Sequence, residues 1–284
     1  MNIQGLIQES KLPRLEAELL LAFLIQKPRE FIIVHEKDIL SLVIIKKFKA
    51  AEKKRLANWP LAYLTGHKEF YGLDFKVNKN VLVPRPETEI LVEIILNYAC
   101  QKKNDLDFID IGTGSGAIII TLANELKKET EALFDAASFL GLDISKSALT
   151  VARQNAKIQN LHKKIAFLES NLLKNIPTES LKDAHLVIAA NLPYLTPKQT
   201  REEPSISREP KLALDGGLDG LKYYRQLFKQ LQKIKPASLF LICEINPEQA
   251  RHIKLEAQKT WPRAKLKIIK DLSGQKRFIT ISLG

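Results

Sequence analysis

The sequence predicts an α/β protein in which a small helical domain precedes a mostly parallel sheet with helices on both faces. Residues 15–58 repeat apolar side chains at spacings of three and four, which is typical of helices. Residues 106–259 alternate short apolar runs with amphipathic stretches, which indicates a doubly wound sheet. Residues 264–284 hold two strand-like runs joined by "LSGQK", a linker too short for a parallel crossover, so this pair is expected to be antiparallel.

The helical domain is expected to span residues 1–65. Within it, "LEAELLLAFLIQ" (15–26) and "ILSLVIIKKFKAAEKKRLAN" (39–58) each place apolar residues along one side of a helix. Few strand signals interrupt these stretches, so the sequence predicts a separate helical unit.

A β-hairpin linker is predicted over residues 66–86. Aromatic and β-branched residues alternate there between turn residues at Gly66, Gly72 and 78–80. Two prolines stiffen its end, and acidic residues follow at the start of the next helix, where they suit the positive end of the helix dipole. The second domain is therefore expected to span residues 87–284.

Strands and helices of the second domain can be assigned in order from the apolar pattern. The predicted strands are 106–112, 139–145, 164–170, 185–191, 238–245, 264–271 and 277–284. The predicted helices are 88–99, 116–127, 146–159, 221–234 and 247–259.

The composition is that of a globular chain with a basic surface. Of the 284 residues, 45% are hydrophobic, and the formal net charge of +12 fits either a polyanionic partner or a solvated basic surface. The apolar runs are shorter than the roughly 18 residues of a membrane span. The N-terminus lacks the pattern of a secretory signal, so a cytoplasmic location is expected. Cys100 and Cys243 lack metal-ligand spacing, and both are expected to be buried apolar residues.

A glycine-rich loop follows the first strand of the sheet, in "FIDIGTGSGAI". The glycines allow a tight turn and let a ligand approach the N-terminus of the next helix. Their G-x-G-x-G spacing differs from the G-x-G-x-x-G of dinucleotide folds, and an aspartate precedes them, which favours S-adenosylmethionine over NAD. The predicted cofactor contacts of this loop are Asp110, Gly112, Thr113, Gly114, Ser115 and Gly116.

Two further strand ends are expected to complete the cofactor site. Asp143 ends the second strand in "GLDIS", where its carboxylate can accept hydrogen bonds from ribose hydroxyls. Asn171 and Leu172 follow the third strand in "FLESNLLKN", where they can bond to an adenine amino group and pack on its ring. A capping role for Asp143 and a turn role for Asn171 are the structural alternatives.

The fourth strand ends in "VIAANLPYLTP", at the edge where doubly wound folds bind ligands. A planar nitrogen is a poor nucleophile, so a site must fix it against the methyl donor. The side-chain oxygen of Asn191 and the carbonyl of Leu192 can each accept one N–H, while Pro193 stiffens the turn and Tyr194 packs on the planar group. We expect these four residues to be catalytic and substrate-binding, with Asn191 also beside the cofactor; a simple strand-ending turn is the alternative.

These motifs resemble the amino-methyltransferases with an Asn-Pro-Pro-Tyr motif, and most closely the release-factor glutamine methyltransferases of the PrmC/HemK family. The resemblance rests on "LAYLTGHKEFYGLDFKVNKNVLVPRPETE", "DIGTGSGAI", Asp143, "NLPY", "EPKLALDGGLDGLKYYR", "EI" and "DLSGQKRF". It implies a Rossmann-like, seven-stranded class I S-adenosylmethionine-dependent methyltransferase domain, preceded by a helical domain that docks the substrate protein.

The resemblance also implies a substrate and its contacts. The family methylates the side-chain nitrogen (N5) of the glutamine in the Gly-Gly-Gln loop of class I peptide-chain release factors, which act in translation termination. By this resemblance, residues 112–116 and Asp143 bind S-adenosylmethionine, Leu172 lies near its adenine, and residues 191–194 hold the glutamine. A monomer with no stable nucleic-acid complex and no membrane association is expected.

The resemblance further assigns Arg85 and Glu87 to a hinge over the site and Leu82 to a wall of the substrate pocket. The sequence departs from the family at two positions, where Leu192 replaces a proline and Asn171 replaces an acid. Position 192 contributes a backbone carbonyl, which leucine retains, although the turn loses some rigidity. The change at position 171 is expected to weaken the contact with adenine.

Three other functions remain open from the sequence. Asn-Leu-Pro-Tyr also occurs in ribosomal RNA adenine dimethyltransferases, so an adenine-N6 methyltransferase of RNA or DNA is one, and the positive charge favours it. A ribosomal-protein glutamine methyltransferase would share the motif. A cofactor-binding module without activity would result if the two departures abolished turnover. "YLTGHKEFYG" and "VPRPETE" favour the release-factor enzyme over the nucleic-acid enzyme.

Overall fold

The computed structural model describes residues 1–102 and 105–284, which form two compact units. The helical unit comprises Met1–His67 together with Glu203–Arg208, and the α/β unit comprises Lys68–Glu202 and Glu209–Gly284. Among the described residues, no helix combines the length and the apolar character needed to cross a membrane.

The helical unit packs its helices around one apolar core. Its helices are α1 (Ile3–Glu9), α2 (Arg14–Ile25), α3 (Arg29–Val34), α4 (Leu42–Leu56) and α5 (Leu61–Thr65). Leu20 and Leu21 of α2 and Phe48 of α4 are fully buried in this core. Both long helices agree with the sequence prediction, and α4 begins where the Ser41 hydroxyl accepts a hydrogen bond from the backbone N–H of Ile44.

The α/β unit begins with a hairpin of β1 (His67–Phe70) and β2 (Leu73–Lys76). Tyr71 and Gly72 form its turn with φ values of 53° and 71°, the left-handed pair of a two-residue hairpin loop. The hairpin is shorter than the predicted range of 66–86, because residues 77–85 adopt no strand.

A single mixed sheet forms the centre of the α/β unit. Its strands are β3 (Asp107–Ile111), β4 (Ser138–Asp143), β5 (Ile165–Glu169), β6 (His185–Ala190), β7 (Ser238–Glu244), β8 (Lys265–Lys270) and β9 (Lys276–Leu283). Within the described residues the sheet has seven strands in the order β5-β4-β3-β6-β7-β9-β8. Strands β3 to β7 are parallel, and β9 runs antiparallel to both β7 and β8. The predicted fold class and the antiparallel end of the sheet are therefore confirmed.

Helices flank the sheet and a few short ones lie in its connections. They are α6 (Glu89–Ala99), α7 (Ala117–Glu129), α8 (Glu131–Ala136), α9 (Lys146–Ile158), α10 (Pro197–Glu202), α11 (Lys222–Ile234) and α12 (Ala250–Thr260). The sequence did not predict α1, α3, α5, α8 or α10, because five to seven residues are too few to repeat a helical period.

Both faces of the sheet are buried at its central strands β3, β6 and β7, where successive side chains point to opposite sides. On β3, Phe108 packs in one apolar cluster, while Ile109 and Ile111 pack in the other. Cys243 of β7 is buried as predicted. The prediction for Cys100 was wrong, because this residue follows the last turn of α6 and is exposed.

The strand order reverses between β3 and β6, and this places the site. β3 and β6 are neighbours, with Ile111 opposite Ala190, yet β4 follows β3 on its other side. The loops that leave β3 and β6 therefore meet at one edge of the sheet, the crevice where doubly wound folds bind ligands.

Candidate active site

The loop between β3 and α7 adopts a backbone conformation that favours glycine. Gly112, Gly114 and Gly116 have φ values of 76°, 54° and 82°. A Cβ atom at Gly112 would lie 3.3 Å from Cδ2 of Leu192, and one at Gly116 would lie 2.7 Å from Cδ1 of Ile120. The loop therefore fits closely between α7 and the end of β6 only because these positions lack side chains.

Hydrogen bonds from the neighbouring strand hold the glycine loop. The backbone N–H groups of Gly112 and Thr113 both donate to the carbonyl of Leu142 on β4, each at 2.8 Å. The Thr113 hydroxyl donates to Oδ2 of Asp110 at 2.7 Å. These hydrogen bonds fix the first part of the loop within the protein, so the turn is already formed before a ligand binds.

Asn155 of α9 also anchors this loop, and the sequence analysis did not find it. Its Nδ2 donates to the carbonyl of Ser115 at 2.8 Å and to the carbonyl of Lys76 at 3.0 Å, while its Oδ1 accepts from the N–H of Lys76 at 2.8 Å. Its side chain is fully buried. The available signal was a polar residue on an apolar helix face, between Ala152 and Ala156.

Asp143 lies at the end of β4 and contacts the same loop. Its Oδ2 accepts a hydrogen bond from the N–H of Gly114, and its Oδ1 accepts one from the N–H of Ser145, both at 2.9 Å. Burial raises the pKa of this carboxyl. Each carboxylate oxygen has further lone pairs, so Asp143 can accept hydrogen bonds from a ligand as well.

Asp110 lies beneath the glycine loop and is fully buried. Its Oδ1 has no hydrogen-bond partner among the residues that the structure describes. Burial raises the pKa of the Asp110 carboxyl to about 7, although the hydrogen bond from Thr113 lowers it. The backbone N–H of Ile119 in α7 also lowers this pKa, and Asp110 does not line the cavity, so its carboxyl supports the loop from inside the protein.

Asn191 and Leu192 follow β6 directly and lie beside the glycine loop. Leu192 is 3% exposed, and its carbonyl oxygen lies 3.4 Å from the Tyr224 hydroxyl. That hydroxyl makes its shorter hydrogen bond to the carbonyl of Glu244. The Leu192 carbonyl thus retains a lone pair for another donor.

A chain of hydrogen bonds lies behind Asn191. Its Nδ2 donates to the hydroxyl oxygen of Thr88 at 3.2 Å, and the Thr88 hydroxyl donates to Oε2 of Glu244 at 2.7 Å. The Tyr194 hydroxyl donates to Oε1 of Glu244 at 3.2 Å. Burial raises the pKa of the Glu244 carboxyl, and these two hydrogen bonds and Arg277 partly offset that rise. Burial likewise raises the pKa of Tyr194.

The segment that contains Pro193 and Tyr194 is braced by a glycine turn before α11. Gly220 has φ 71°, and a Cβ atom there would lie 2.1 Å from the carbonyl oxygen of Tyr194. The same oxygen accepts a hydrogen bond from Nε2 of Gln249 at 2.6 Å. The backbone after β6 is therefore fixed from two directions.

Asn171 and Leu172 lie after β5, as the sequence predicted. Asn171 is exposed, whereas Leu172 is 7% exposed. Leu172 has φ 55°, a left-handed conformation that costs a non-glycine residue about 1–3 kcal/mol.

Arg85 and Leu82 occupy the segment that precedes α6. Arg85 forms an ion pair with Glu209, whose side chain is 1% exposed, and the N–H of Val83 donates to the other Glu209 oxygen at 3.0 Å. Leu82 is half-buried, and Glu87 is exposed in the helical turn Pro86–Thr88. The Arg85–Glu209 pair ties this segment to the one that begins at Glu209.

These elements enclose a cavity of about 140 Å³. Among the predicted site residues, its lining includes Leu82, Gly112, Gly114, Asp143, Asn171, Leu172, Asn191, Leu192 and Pro193. Other lining residues that the sequence analysis did not single out include Val81, Ile144, Pro210, Leu212, Ala213 and Tyr223.

The remaining predicted site residues do not line the cavity. They are Arg85, Asp110, Thr113, Ser115, Gly116 and Tyr194. Thr113 and Ser115 are buried and hold the loop in shape, and Tyr194 contacts Glu244. The pattern of residue types located the site but could not separate wall residues from the layer that supports them.

The cavity fits S-adenosylmethionine in its chemistry. A glycine turn allows close approach, a carboxylate at the end of β4 can accept hydrogen bonds from ribose hydroxyls, and apolar side chains such as Leu172 and Leu212 suit a flat aromatic base. Asn191 borders the same cavity, so a nitrogen held by its side chain would lie near the bound cofactor.

Comparison with known proteins agrees with this site. Residues 102–277 match the family model described as a methyltransferase domain, and residues 4–66 match the PrmC N-terminal domain. The release factor glutamine methyltransferase of Moorella thermoacetica is 36% identical over 268 residues, which cover 93% of this chain and 89% of that protein. The protein of the same name from Staphylococcus aureus is 32% identical over 277 residues, which cover 97% and 94%.

A solved structure shares the fold at low sequence identity. The N-terminal domain of human METTL16 in complex with SAH superposes with a TM-score of 0.54, over 92% of this chain and 92% of that one, at 16% identity. The likeness shows a common arrangement of the sheet and its helices.

Fold, glycine loop and family model define a class I S-adenosylmethionine-dependent methyltransferase, and S-adenosylmethionine is its cofactor. Within this class, the chain belongs to the release factor glutamine methyltransferase family, because the match to those proteins extends over nearly its whole length and includes the N-terminal domain. The expected family is therefore confirmed.

Proposed function

We propose that this protein transfers a methyl group from S-adenosylmethionine to the side-chain nitrogen (N5) of the glutamine in the Gly-Gly-Gln loop of class I peptide-chain release factors. The main support is one observation: Asn191 and Leu192 border the same cavity as Gly112, Gly114 and Asp143. Family membership supplies the substrate class, since the similar proteins are named for it.

The cofactor side of the cavity is assigned to five residues. Gly112 and Gly114 allow the cofactor to approach the backbone, and Asp143 accepts hydrogen bonds from its ribose. Leu172 packs on the adenine ring, while the exposed Asn171 bonds to the adenine edge. When bound, S-adenosylmethionine supplies an electrophilic methyl group on a sulfonium.

The substrate side is assigned to the residues after β6. Oδ1 of Asn191 accepts one N–H of the substrate carboxamide and the Leu192 carbonyl accepts the other, so the nitrogen is held with its lone pair toward the methyl group. Pro193 keeps this turn rigid. Tyr194 packing on the substrate amide stays a prediction, as does a hinge role for Arg85 and Glu87 and a wall role for Leu82.

Orientation is the main contribution of these residues to the rate. Fixing a weak nucleophile in line with its target contributes about 7–11 kcal/mol in well-aligned intramolecular reactions. Asn191 and Leu192 would hold the nitrogen in line with the methyl group that bound S-adenosylmethionine would supply, and the methylated nitrogen would lose one proton to water or a nearby acceptor. No general base is needed before transfer, because the amide becomes acidic only once it is methylated.

The remaining assignments concern partners and location. The helical domain, residues 1–65, docks the release factor, residues 66–86 link the domains, and residues 87–284 carry out transfer. The protein acts as a monomer in the cytoplasm, where release factors meet the ribosome. It forms no stable complex with nucleic acid, and its net charge of +12 is then a property of its surface.

Methyl transfer from labelled S-adenosylmethionine tests this function. The substrates are a purified class I release factor, the same factor with its Gly-Gly-Gln glutamine changed to alanine, and ribosomal RNA. Label in the intact factor alone supports the proposal. Label in the RNA would instead assign an adenine methyltransferase, and cofactor binding without any label would assign a binding module.

A further inference from the structure

The amide of Asn191 has two chemically different ends, and only one suits the proposed reaction. Its oxygen can accept an N–H from a substrate carboxamide, whereas its nitrogen can only donate. An amide rotated by half a turn would present N–H groups to the N–H groups of the substrate. The site therefore needs a device that selects one orientation of this side chain.

A hydroxyl oxygen behind Asn191 that can only accept a hydrogen bond provides such a device. A threonine hydroxyl has one proton, and the Thr88 proton is committed to Oε2 of Glu244, 2.7 Å away. The Thr88 oxygen can then only accept, so the group that faces it at 3.2 Å must be Nδ2 of Asn191. The Asn191 oxygen is thereby left for the cavity that this residue lines.

We propose that Thr88 and Glu244 are positioning residues that hold the Asn191 carboxamide with its oxygen toward the substrate. This inference rests on the proposed function and extends it to two residues behind the cavity wall. Neither residue contacts the reacting groups; both act through Asn191.

Burial makes the preference strong. Thr88 is 4% exposed and Glu244 is 2% exposed, so water cannot replace a lost partner. If the amide rotated, Oδ1 of Asn191 would face Thr88, and the Thr88 hydroxyl would have to donate to it instead of to Glu244. The buried Glu244 carboxylate would then have one hydrogen-bond donor fewer. The same carboxylate receives the Tyr194 hydroxyl at 3.2 Å on its other oxygen, which fixes its plane.

The elements that carry the device are rigid. Thr88 precedes α6 directly, Glu244 ends β7, and the carbonyl of Glu244 accepts a hydrogen bond from the buried Tyr224 hydroxyl. Asn191 follows β6, the strand that neighbours β7 in the sheet. The relative positions of the three side chains are therefore set by regular backbone.

Thr88→Val is the first test, because valine keeps the shape of threonine and removes only the hydroxyl. We expect kcat for release-factor methylation to fall about 10- to 100-fold, since loss of oriented hydrogen bonds acts on the transition state. KM for the release factor should change less than about threefold, because the glutamine is a small part of a protein-sized substrate. Thr88→Ser, which restores the hydroxyl, should return kcat to within about threefold of wild type.

Thr121→Val is the matched control. Thr121 of α7 is also fully buried, and its hydroxyl has no hydrogen-bond partner among the described residues. The same substitution there should leave kcat unchanged. Equal losses in Thr88→Val and Thr121→Val, or no rescue by Thr88→Ser, would overturn the positioning role.

A double-mutant cycle separates positioning from general support of the fold. If Thr88 acts through Asn191, then Thr88→Val should reduce activity no further once Asn191→Ala has removed the amide. A loss that multiplies with that of Asn191→Ala would overturn the proposal. The affinity of Thr88→Val for S-adenosylmethionine, measured by calorimetry, should be within about twofold of wild type.

The orientation can also be read without any methyl transfer. In wild-type protein labelled with 15N-asparagine, the Asn191 side-chain NH2 protons should show a nuclear Overhauser contact to the Thr88 methyl group. In Thr88→Ser, which keeps the hydroxyl, those protons should remain protected from exchange with solvent. An Asn191 NH2 group that faces away from residue 88 would overturn the proposal. A wild-type protein that shows this contact but does not methylate the release factor would instead refute the proposed function.

Discussion

Asp110→Asn is expected to remove a pH-dependent loss of stability from the α/β unit. Burial raises the pKa of the Asp110 carboxyl from 3.8 to about 7 in the folded protein. At a pH between 3.8 and about 7, the Asp110 carboxyl has lost its proton in the unfolded chain and retains it in the folded chain. Protonation of this carboxyl therefore favours the folded state. Stability contributed through this group is therefore present at low pH and falls as the pH rises toward 7.

The size of the effect follows from the shift. Each pKa unit corresponds to about 1.4 kcal/mol, so about two units between pH 5 and pH 7 correspond to about 3 kcal/mol. Above the folded pKa both states are ionised, and the loss stops growing. Asparagine has nearly the same shape but does not ionise, so the stability of the variant relative to wild type should rise by about 2–3 kcal/mol from pH 5 to pH 8.

Urea unfolding at several pH values measures this difference. A Trp59→Phe background leaves Trp261 as the fluorescent reporter, and Trp261 belongs to the α/β unit. Asp219→Asn serves as the control. The hydrogen bond from Arg225 lowers the pKa of Asp219, so this carboxyl is ionised in the folded and unfolded states from pH 5 to pH 8. Its substitution should therefore change the free energy of unfolding by the same amount at every pH in that range. Parallel pH profiles for Asp110→Asn and wild type would refute the reasoning.

Two further substitutions test one residue of the cavity wall and one ion pair near it. Asp143→Ala should weaken S-adenosylmethionine binding about 10- to 100-fold in titration calorimetry, because charge-assisted hydrogen bonds contribute about 1.5–3 kcal/mol. Unchanged affinity would contradict the assignment of Asp143 to the ribose. Arg85→Met should destabilise the α/β unit in urea unfolding by about 2–3 kcal/mol, below the 3–5 kcal/mol for a fully buried pair, because Arg85 is 34% exposed while Glu209 is 1% exposed. A loss under about 0.5 kcal/mol would show that the pair does not hold the two segments together.

The sheet could be predicted because its signals are local. Strands β3, β6 and β7 are runs of apolar residues that are buried on both faces, while β5 is an edge strand that alternates buried and exposed residues. Turn residues or an amphipathic helix bound each of these strands. The five-residue linker "LSGQK" forces β8 and β9 to be antiparallel. Short helices such as α8 and α10 carry less than two helical turns of pattern, so nothing in their own residues distinguishes them from loops.

The site was predicted to the extent that its residues follow strands. Asp143 and Asn191 end strands that the topology brings to one edge, and both border the cavity. Thr88, Asn155 and Glu244 were not predicted, because each acts on a partner at least 40 residues away in the chain. Such contacts depend on tertiary packing. Asn155 is marked only as a polar residue on an apolar helix face, while Thr88 and Glu244 stand in the motifs "VPRPETE" and "EI", which carry no sign of which partner each side chain meets.

Site-specific mass spectrometry of a methylated class I release factor tests the central claim most directly. After incubation with the protein and S-adenosylmethionine, the factor is digested and the peptide that contains Gly-Gly-Gln is fragmented. The account predicts one added methyl group on the side-chain nitrogen of that glutamine, and much slower modification of the same nitrogen when Asn191→Ala replaces the wild-type protein. A methyl group on any other residue, or an unmodified glutamine in a factor exposed to protein that binds the cofactor, would contradict it.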